Sequence, residues 1–440
     1  MTAPAPVSRR RAVVLLAALA VLLVALAVVG VVVARDPGDR GSTAAAEWNG
    51  LVGVDPVAGE VVVYDDAGEE VDRVAAVDGL LNATTRGSLV LAAADDRAAV
   101  VDAAEGEVVW EDATEGTAAW LQGSSAPVVL VGDPSGGDLR VVDVEGDTDL
   151  RLGDVVDGDP SFVPQAVAVS PDGTVLAARD LRSQTSVVVD LASGDATPVD
   201  GSAAAVTDDS VVVVTPEDDG EATARFLGRD GDERGVAPLG RGPRGLLVTG
   251  DDSLLVVAEG DDGPVVARTS VGDDAPTEVR DLDLAGAGPV LAFHEQGRLV
   301  VTGDDGTVLL DQDGGEVADV EGTLSPVTGV TGSAAACFAV QTDGEVVVHD
   351  LGSGDERVRA AQEQSGPLWS SVDGCTLGGP GLLAGEDRSV ELDPSQVAVV
   401  APDGAAALVR GGGPPELVDM TAPDAEPAEV DRAVTGFVAR

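Results

Sequence analysis

The sequence contains no lysine. Schiff-base chemistry through a lysine amine is therefore excluded. Its 26 cationic side chains face 78 acidic ones, for a formal net charge of −52. Such a surface repels phosphate backbones and excludes nucleic acid as a partner. It also disfavours adhesion to anionic lipid. Histidine is scarce: His294 and His349 stand 55 residues apart, on strands of different repeat units. That separation supports neither a catalytic triad nor a histidine metal site. Cysteine occurs only at Cys337 and Cys375, without the short spacing of a zinc motif. Aromatic residues make up 2% of the chain. Trp48, Trp110, Trp120 and Trp369 either line a ligand surface or pack between structural units, and packing is the simpler reading.

What remains is a chain of Val, Ala, Leu, Asp and Gly. Valine favours strands, because its branched side chain packs well on a pleated surface. The 56 glycines and 25 prolines suit many turns. The acidic excess reads as solubility or compositional bias; adaptation to high salt, or collection of cations, is the alternative.

Arg9, Arg10 and Arg11 precede an uncharged apolar run from Ala12 to Ala34. At about 1.5 Å per helical residue that run spans the roughly 30 Å hydrocarbon layer. The positive-inside rule keeps the arginines in the cytoplasm. The expected organisation is a cytoplasmic tail over 1–11, a transmembrane signal anchor over 12–34, a linker over 35–46 and an extracytoplasmic domain over 47–440. Cleavage after Ala34 is the rival, and a twin-arginine signal fits Ala12 and Val13 poorly. No cysteine lies near the helix, so a lipidated N-terminus is excluded. An exported chain with two cysteines most simply forms one disulfide, with reactive thiols or a metal site as the alternatives.

Beyond the linker one phrase recurs: an apolar run, an Asp, a turn with Gly, and a second run. It appears as VVVYDDAGEEV (61–71), AVVDAAEGEVVW (99–110), LRVVDVEGDTDL (139–150), SVVVDLASGDATPV (186–199), TVLLDQDGGEV (307–317) and EVVVHDLGSGDERV (345–358). Weaker copies lie at 224–233 and 266–274. The spacings Asp65–Asp102, Asp102–Asp143, Asp143–Asp190 and Asp311–Asp350 are 37, 41, 47 and 39 residues. A period near 40 with short strands in each unit is a β-propeller signature. The Asp is expected to accept backbone hydrogen bonds in the turn, and the Gly to supply positive φ. AVAVSPDGTVLAA (166–178) and VVAPDGAAALV (399–409) show the two upstream strands of a unit, as do 245–260 and 291–303. The prediction is an all-β propeller of four-stranded antiparallel blades, eight favoured and seven the alternative. AVTGFVA (433–439) is expected to complete the first blade.

VVDAAEGEVVWED (100–112) resembles the repeat of the quinoprotein-type (PQQ-like) propellers. VSPDGTVLAA resembles the strand–turn–strand phrase of WD40-like bacterial extracytoplasmic propellers. The resemblance covers most of 48–440 and implies the propeller fold. Only Trp110 holds the repeat's Trp position. Quinone dehydrogenases of this type carry adjacent cysteines, a calcium site and a catalytic acid, whereas this chain has no adjacent cysteines and short repeats.

DQDGGE (311–316) has the Gly and Glu misplaced for a calcium loop. Asn82-Ala83-Thr84 matches a glycosylation sequon but reads as an ordinary loop. No catalytic, cofactor-binding or metal residue is assigned, and no cofactor is expected. The site residues assigned are Cys337 and Cys375, as a disulfide. Their spacing of almost one repeat places the bridge between a strand of one blade and a loop of the next. The leading functional reading is a non-enzymatic binding or scaffold propeller outside the cytoplasmic membrane, partnered by another envelope protein. A hydrolase or lyase using channel carboxylates is the rival reading. A sensor is the third, and the short cytoplasmic tail would then require a partner helix.

Overall fold

Triplets such as Val61–Val63, Val187–Val189 and Val346–Val348 are buried at every position. A strand with one solvated face alternates; these runs do not, so both faces of their sheets are covered. The computed structural model shows why. It describes 33–34 and 48–438, apart from 115, 122–123, 125, 134–135, 147, 157, 164–166, 171, 208–209, 218–219, 251, 262, 287, 305, 326, 329–334, 363–365 and 423. Over the described residues the chain forms ten small antiparallel sheets, each packed between two others. The fold is a β-propeller.

Blade 2 shows the plan. Its strands Asn82–Arg86, Leu89–Ala93, Arg97–Asp102 and Glu107–Ala113 pair in sequence order, from the channel outward. Inner strands of neighbouring blades lie against one another, and outer strands such as Glu70–Ala75 are largely exposed. First-to-second and third-to-fourth connections fall on one face, called here the entry face. The remaining connections make the far face. Val434–Val438 pairs antiparallel with Gly50–Asp55 and is the inner strand of blade 1, so the chain's end closes the ring as expected. Trp48 packs edge-on against Phe437 at this closure, with ring centroids 5.0 Å apart.

Ten blades replace the eight or seven expected. All eight Asp-turn units are complete blades, and the chain after Asp350 adds two more. Blade 9 uses Leu368–Ser370, Leu377–Gly379, Leu382–Ala384 and Ser389–Glu391; blade 10 uses Val397–Val400, Ala406–Arg410, Glu416–Asp419 and Ala428–Glu429. Their outer turns lack the Asp-turn-Gly phrase, so counting that phrase missed them. The long interval between Asp143 and Asp190 comes from the connection between blades 3 and 4. It contains a 3-10 turn at Leu152–Asp154 and the fully buried Phe162.

The Asp turns work as expected. Oδ1 of Asp65 accepts from the N–H groups of Ala67 and Glu69, and Oδ1 of Asp102 from Ala104 and Glu105. The same fork recurs at Asp143, Asp190, Asp311 and Asp350. Gly106, at φ 70°, makes the left-handed step that lets the second strand return.

Among the described residues no helix is long and apolar enough to cross a membrane. The anchor expected over 12–34 lies outside the described residues except for its last two. Val33–Ala34 form a two-residue strand parallel to Val206–Thr207 of blade 5.

Candidate functional surface

Blades 1–7 keep four strands in one order, blade 5 with Val33–Ala34 added beside its inner strand, and blade 8 departs from that plan. Its inner strand is only Thr323–Leu324, and its second strand, Cys337–Thr342, begins after a long connection. In blade 2 the same connection is Gly87 and Ser88. Part of the long connection, Val327–Thr328, pairs parallel with Leu368–Trp369 and adds a fifth strand on the channel side of blade 9. The seam between blades 8 and 9 is thus the most irregular part of the ring's inner wall.

A covalent bond holds the stem of this connection. Cys337 and Cys375 are joined by a disulfide. Cys337 is fully buried at the start of its strand, and Cys375 is half-buried in the first turn of blade 9. Backbone bonds reinforce the stem: the N–H groups of Ala336 and Cys337 donate to the Asp373 carbonyl at 2.8 and 3.0 Å. Cys375 N–H donates to Asp373 Oδ1 at 3.0 Å, and Thr376 N–H to Ser371 Oγ at 3.0 Å. Ser371-Val372-Asp373-Gly374 is therefore the same turn as Ser170-Pro171-Asp172-Gly173. In that turn Ser170 Oγ donates to Asp172 Oδ1 and accepts from Val175 N–H. The missing Pro hid the kinship in the sequence; the Ser-x-Asp-Gly spacing was the available signal.

The other singled-out residues are spent on packing. His294 lies in the first turn of blade 7 rather than on a strand, because the Glu295–Gly297 turn begins there. Its Nδ1 accepts from Val248 N–H of blade 6 at 2.9 Å, and burial pushes its pKa down to about 3. His349 stacks on Phe338 at 5.5 Å, with Nδ1 2.9 Å from the Gly354 carbonyl. These two imidazoles sit in different blades and do not converge. Trp120 is buried and donates from Nε1 to the Thr84 carbonyl of blade 2 at 3.1 Å. Trp110 packs, half-buried, against the cluster between blades 2 and 3. Trp369 stands half-buried beside the added strand. Asn82 begins the inner strand of blade 2, not a loop; Asn82–Arg86 pairs along its whole length with Leu89–Ala93. In 311–316, Asp311 is occupied by its own turn. Among the described residues no group of three or more His, Cys, Asp or Glu side chains is placed to hold a metal ion.

Composition could not show how the arginines are used. Many tie one blade to the next. Arg140 of blade 3 bridges Asp112 of blade 2 and Asp149 of its own blade. Its guanidinium hydrogen bond holds the Asp149 carboxyl below its ordinary pKa. Arg229 of blade 5 binds Asp172 of blade 4 at 2.5 Å. Burial alone would raise the Asp172 carboxyl, but hydrogen bonds from Ser170, Arg229 and Thr174 outweigh it and lower the pKa. Arg268 and Arg280 reach from blade 6 to Asp313 and Glu316 of blade 7. Arg298 reaches the Leu351 carbonyl, Arg357 reaches Glu386, and Arg388 reaches carbonyls of blade 10. With so many cations in the seams, the outer surface is left strongly acidic.

No protein-family profile matches the chain, and no curated protein does. Solved structures do. A eukaryotic initiation factor aligns with a TM-score of 0.50 at 12% identity, over 88% of this chain and 98% of its own. The C-terminal WD40 domain of Sif2 aligns at 0.41 and 12%, over 77% and 95%. BamB from Moraxella catarrhalis aligns at 0.37 and 13%, over 76% and 96%. At these identities the likeness concerns the fold alone.

Proposed function

We propose that this chain is a non-enzymatic binding or scaffold propeller, held outside the cytoplasmic membrane by residues 12–32 of the apolar run, since Val33–Ala34 pair with blade 5. Its docking surface for another envelope protein is the seam between blades 8 and 9. The observation that carries the reading is the disulfide-held connection at Cys337–Cys375, which adds a strand to the channel wall of blade 9. A disulfide suits an oxidising compartment outside the cytoplasm. Irregular connections on a repeated scaffold are where propellers place recognition.

Both ends of the described ring, Trp48 and Val438, lie on the entry face, as does the Cys375 turn. The test is protease added to intact spheroplasts. The account expects degradation of the large domain, and full protection would refute the location. Affinity capture of the outer domain from envelope extract, with Cys337→Ser as the comparison, tests the surface. A stoichiometric partner should be retained by the unaltered chain and lost or weakened by the variant. Equal retention would move the docking site elsewhere.

A further inference from the structure

One arginine does not follow the pattern of the others. Arg179 ends the second strand of blade 4, Val175–Arg179, on the far face. Its Nε is buried and has no hydrogen-bond partner among the described residues. Burial lowers its pKa from the ordinary value, and no carboxylate contributes to the shift. Arg234, Arg241 and Arg432 also show no ion pair, but they are exposed to water, which solvates them. A guanidinium half withdrawn from solvent without a counter-charge is costly. In a chain of net charge −52 it is also anomalous.

Arg410 provides the control, because it ends the second strand of blade 10 after the same Pro-Asp-Gly turn. Arg410 Nη2 donates to the Val434 carbonyl of blade 1 at 2.6 Å. Arg410 shares the buried, unpartnered Nε and the pKa lowered by burial, so the Nη2 bond is what separates the two arginines.

A second unpartnered group faces the same seam. Val175 and Ala177 pack in the cluster between blades 4 and 5, and so do Val211 and Val213 of the strand Val211–Pro216. Strand alternation places Arg179 on the side of Val175 and Ala177, and Thr215 on the side of Val211 and Val213. Both residues stand at the far-face end. Thr215 Oγ1 is buried and has no partner among the described residues. Ser186, the ladder partner of Arg179, donates from Oγ to the Gly201 carbonyl at 2.9 Å. A Cβ built on Gly201 would come within 2.8 Å of Thr215 Oγ1.

We propose that this seam binds a carboxylate group, with Arg179 as the cationic donor and the Thr215 hydroxyl as a second donor. The planar guanidinium presents two parallel N–H groups that match the two carboxylate oxygens. A singly charged carboxylate meets less repulsion from the acidic surface than a doubly charged phosphate does. The site lies on the face opposite the blade 8–9 entry-face turns and is independent of that reading.

The test is a melting curve of the purified full-length chain in acetate, phosphate or chloride at equal ionic strength. Acetate should raise the melting temperature saturably, above chloride and above phosphate. Arg179→Met should remove the acetate response, and Thr215→Val should weaken apparent affinity about tenfold, as expected for loss of one charged hydrogen bond. In chloride alone, Arg179→Met should melt higher than the unaltered chain, because it removes an unpaired charge. Arg410→Met should melt lower yet keep the acetate response. The proposal is overturned by identical acetate and chloride curves, by an acetate response that survives Arg179→Met, or by a stronger response to phosphate. A lower melting temperature of Arg179→Met in chloride would also overturn it, since the guanidinium would then have a partner within the fold.

Discussion

Blades 2 and 8 share the Asp-turn-Gly phrase and the same strand order, but differ between their first two strands. In blade 2, Gly87 and Ser88 make the turn, and the inner strand pairs over its full length. In blade 8 the inner strand shrinks to Thr323–Leu324, and the chain crosses to blade 9 before returning at Cys337. The shared parts set the ring: valine runs buried on both faces, an Asp that caps the turn, an arginine in the seam. Where those devices are kept, a blade is interchangeable with its neighbours. Where one is stretched, as in blade 8, a covalent bond is present beside it.

The comparison can be broken most severely at the closure that both blades depend on. Deleting Val434–Val438 removes the inner strand of blade 1 and leaves Gly50–Asp55 as an open edge. The ring should lose its cooperative melting transition in calorimetry, and an unchanged transition would show that closure is dispensable. The next effect is at the stretched blade. Cys337→Ser opens a cross-link over 38 residues, which the chain-entropy argument values at roughly 3–4 kcal/mol. The variant should melt several degrees lower and keep its β-sheet circular dichroism. Quantitative thiol labelling of the native, non-reduced chain would show instead that the bridge is absent.

A regular seam should respond less. Arg140→Met breaks the bridge between Asp112 and Asp149 and should cost about 1–2 kcal/mol. This loss carries a pH signature. The folded pKa of Asp149 is lowered, so its contribution is complete above the unfolded carboxyl value, about 3.9. It disappears as pH falls through the lower folded value. The difference in melting temperature between the unaltered chain and Arg140→Met should therefore shrink below pH of about 4; a constant difference down to about pH 2 would contradict it. The smallest effect is expected at a single turn: Asp102→Ala loses the two amide bonds at Oδ1 and should cost about 1 kcal/mol by denaturant titration.

The repeating parts were legible because they are local. The Asp turn involves residues two to four apart, so its phrase survives in one sequence. The closing strand could be recognised because AVTGFVA is an apolar segment at the end opposite an incomplete first blade. The disulfide partners followed from there being two cysteines almost one repeat apart. The blade count failed because blades 9 and 10 keep the strands and drop the phrase, and short strands such as Leu382–Ala384 carry little periodicity of their own. The strand Val327–Thr328 could not be foreseen, since it pairs with residues about 40 positions away across a seam. Nor could the partners of the arginines, which lie in adjacent blades and obey no fixed spacing. Arg179 and Arg410 stand the same distance after a Pro-Asp-Gly turn, and the contact with the next blade distinguishes them.

The central claim is that the stretched seam, and not the regular blades, carries the partner. The most direct test places a photocrosslinking residue at Val372, in the first turn of blade 9, and in a second variant at Ser193, in the Asp turn of blade 4. Each chain is crosslinked in intact cells. The account predicts one discrete adduct from position 372, absent or much reduced when Cys337→Ser is added, and none from position 193. Equal adducts from both positions, or an adduct at 372 that is indifferent to Cys337→Ser, would contradict it.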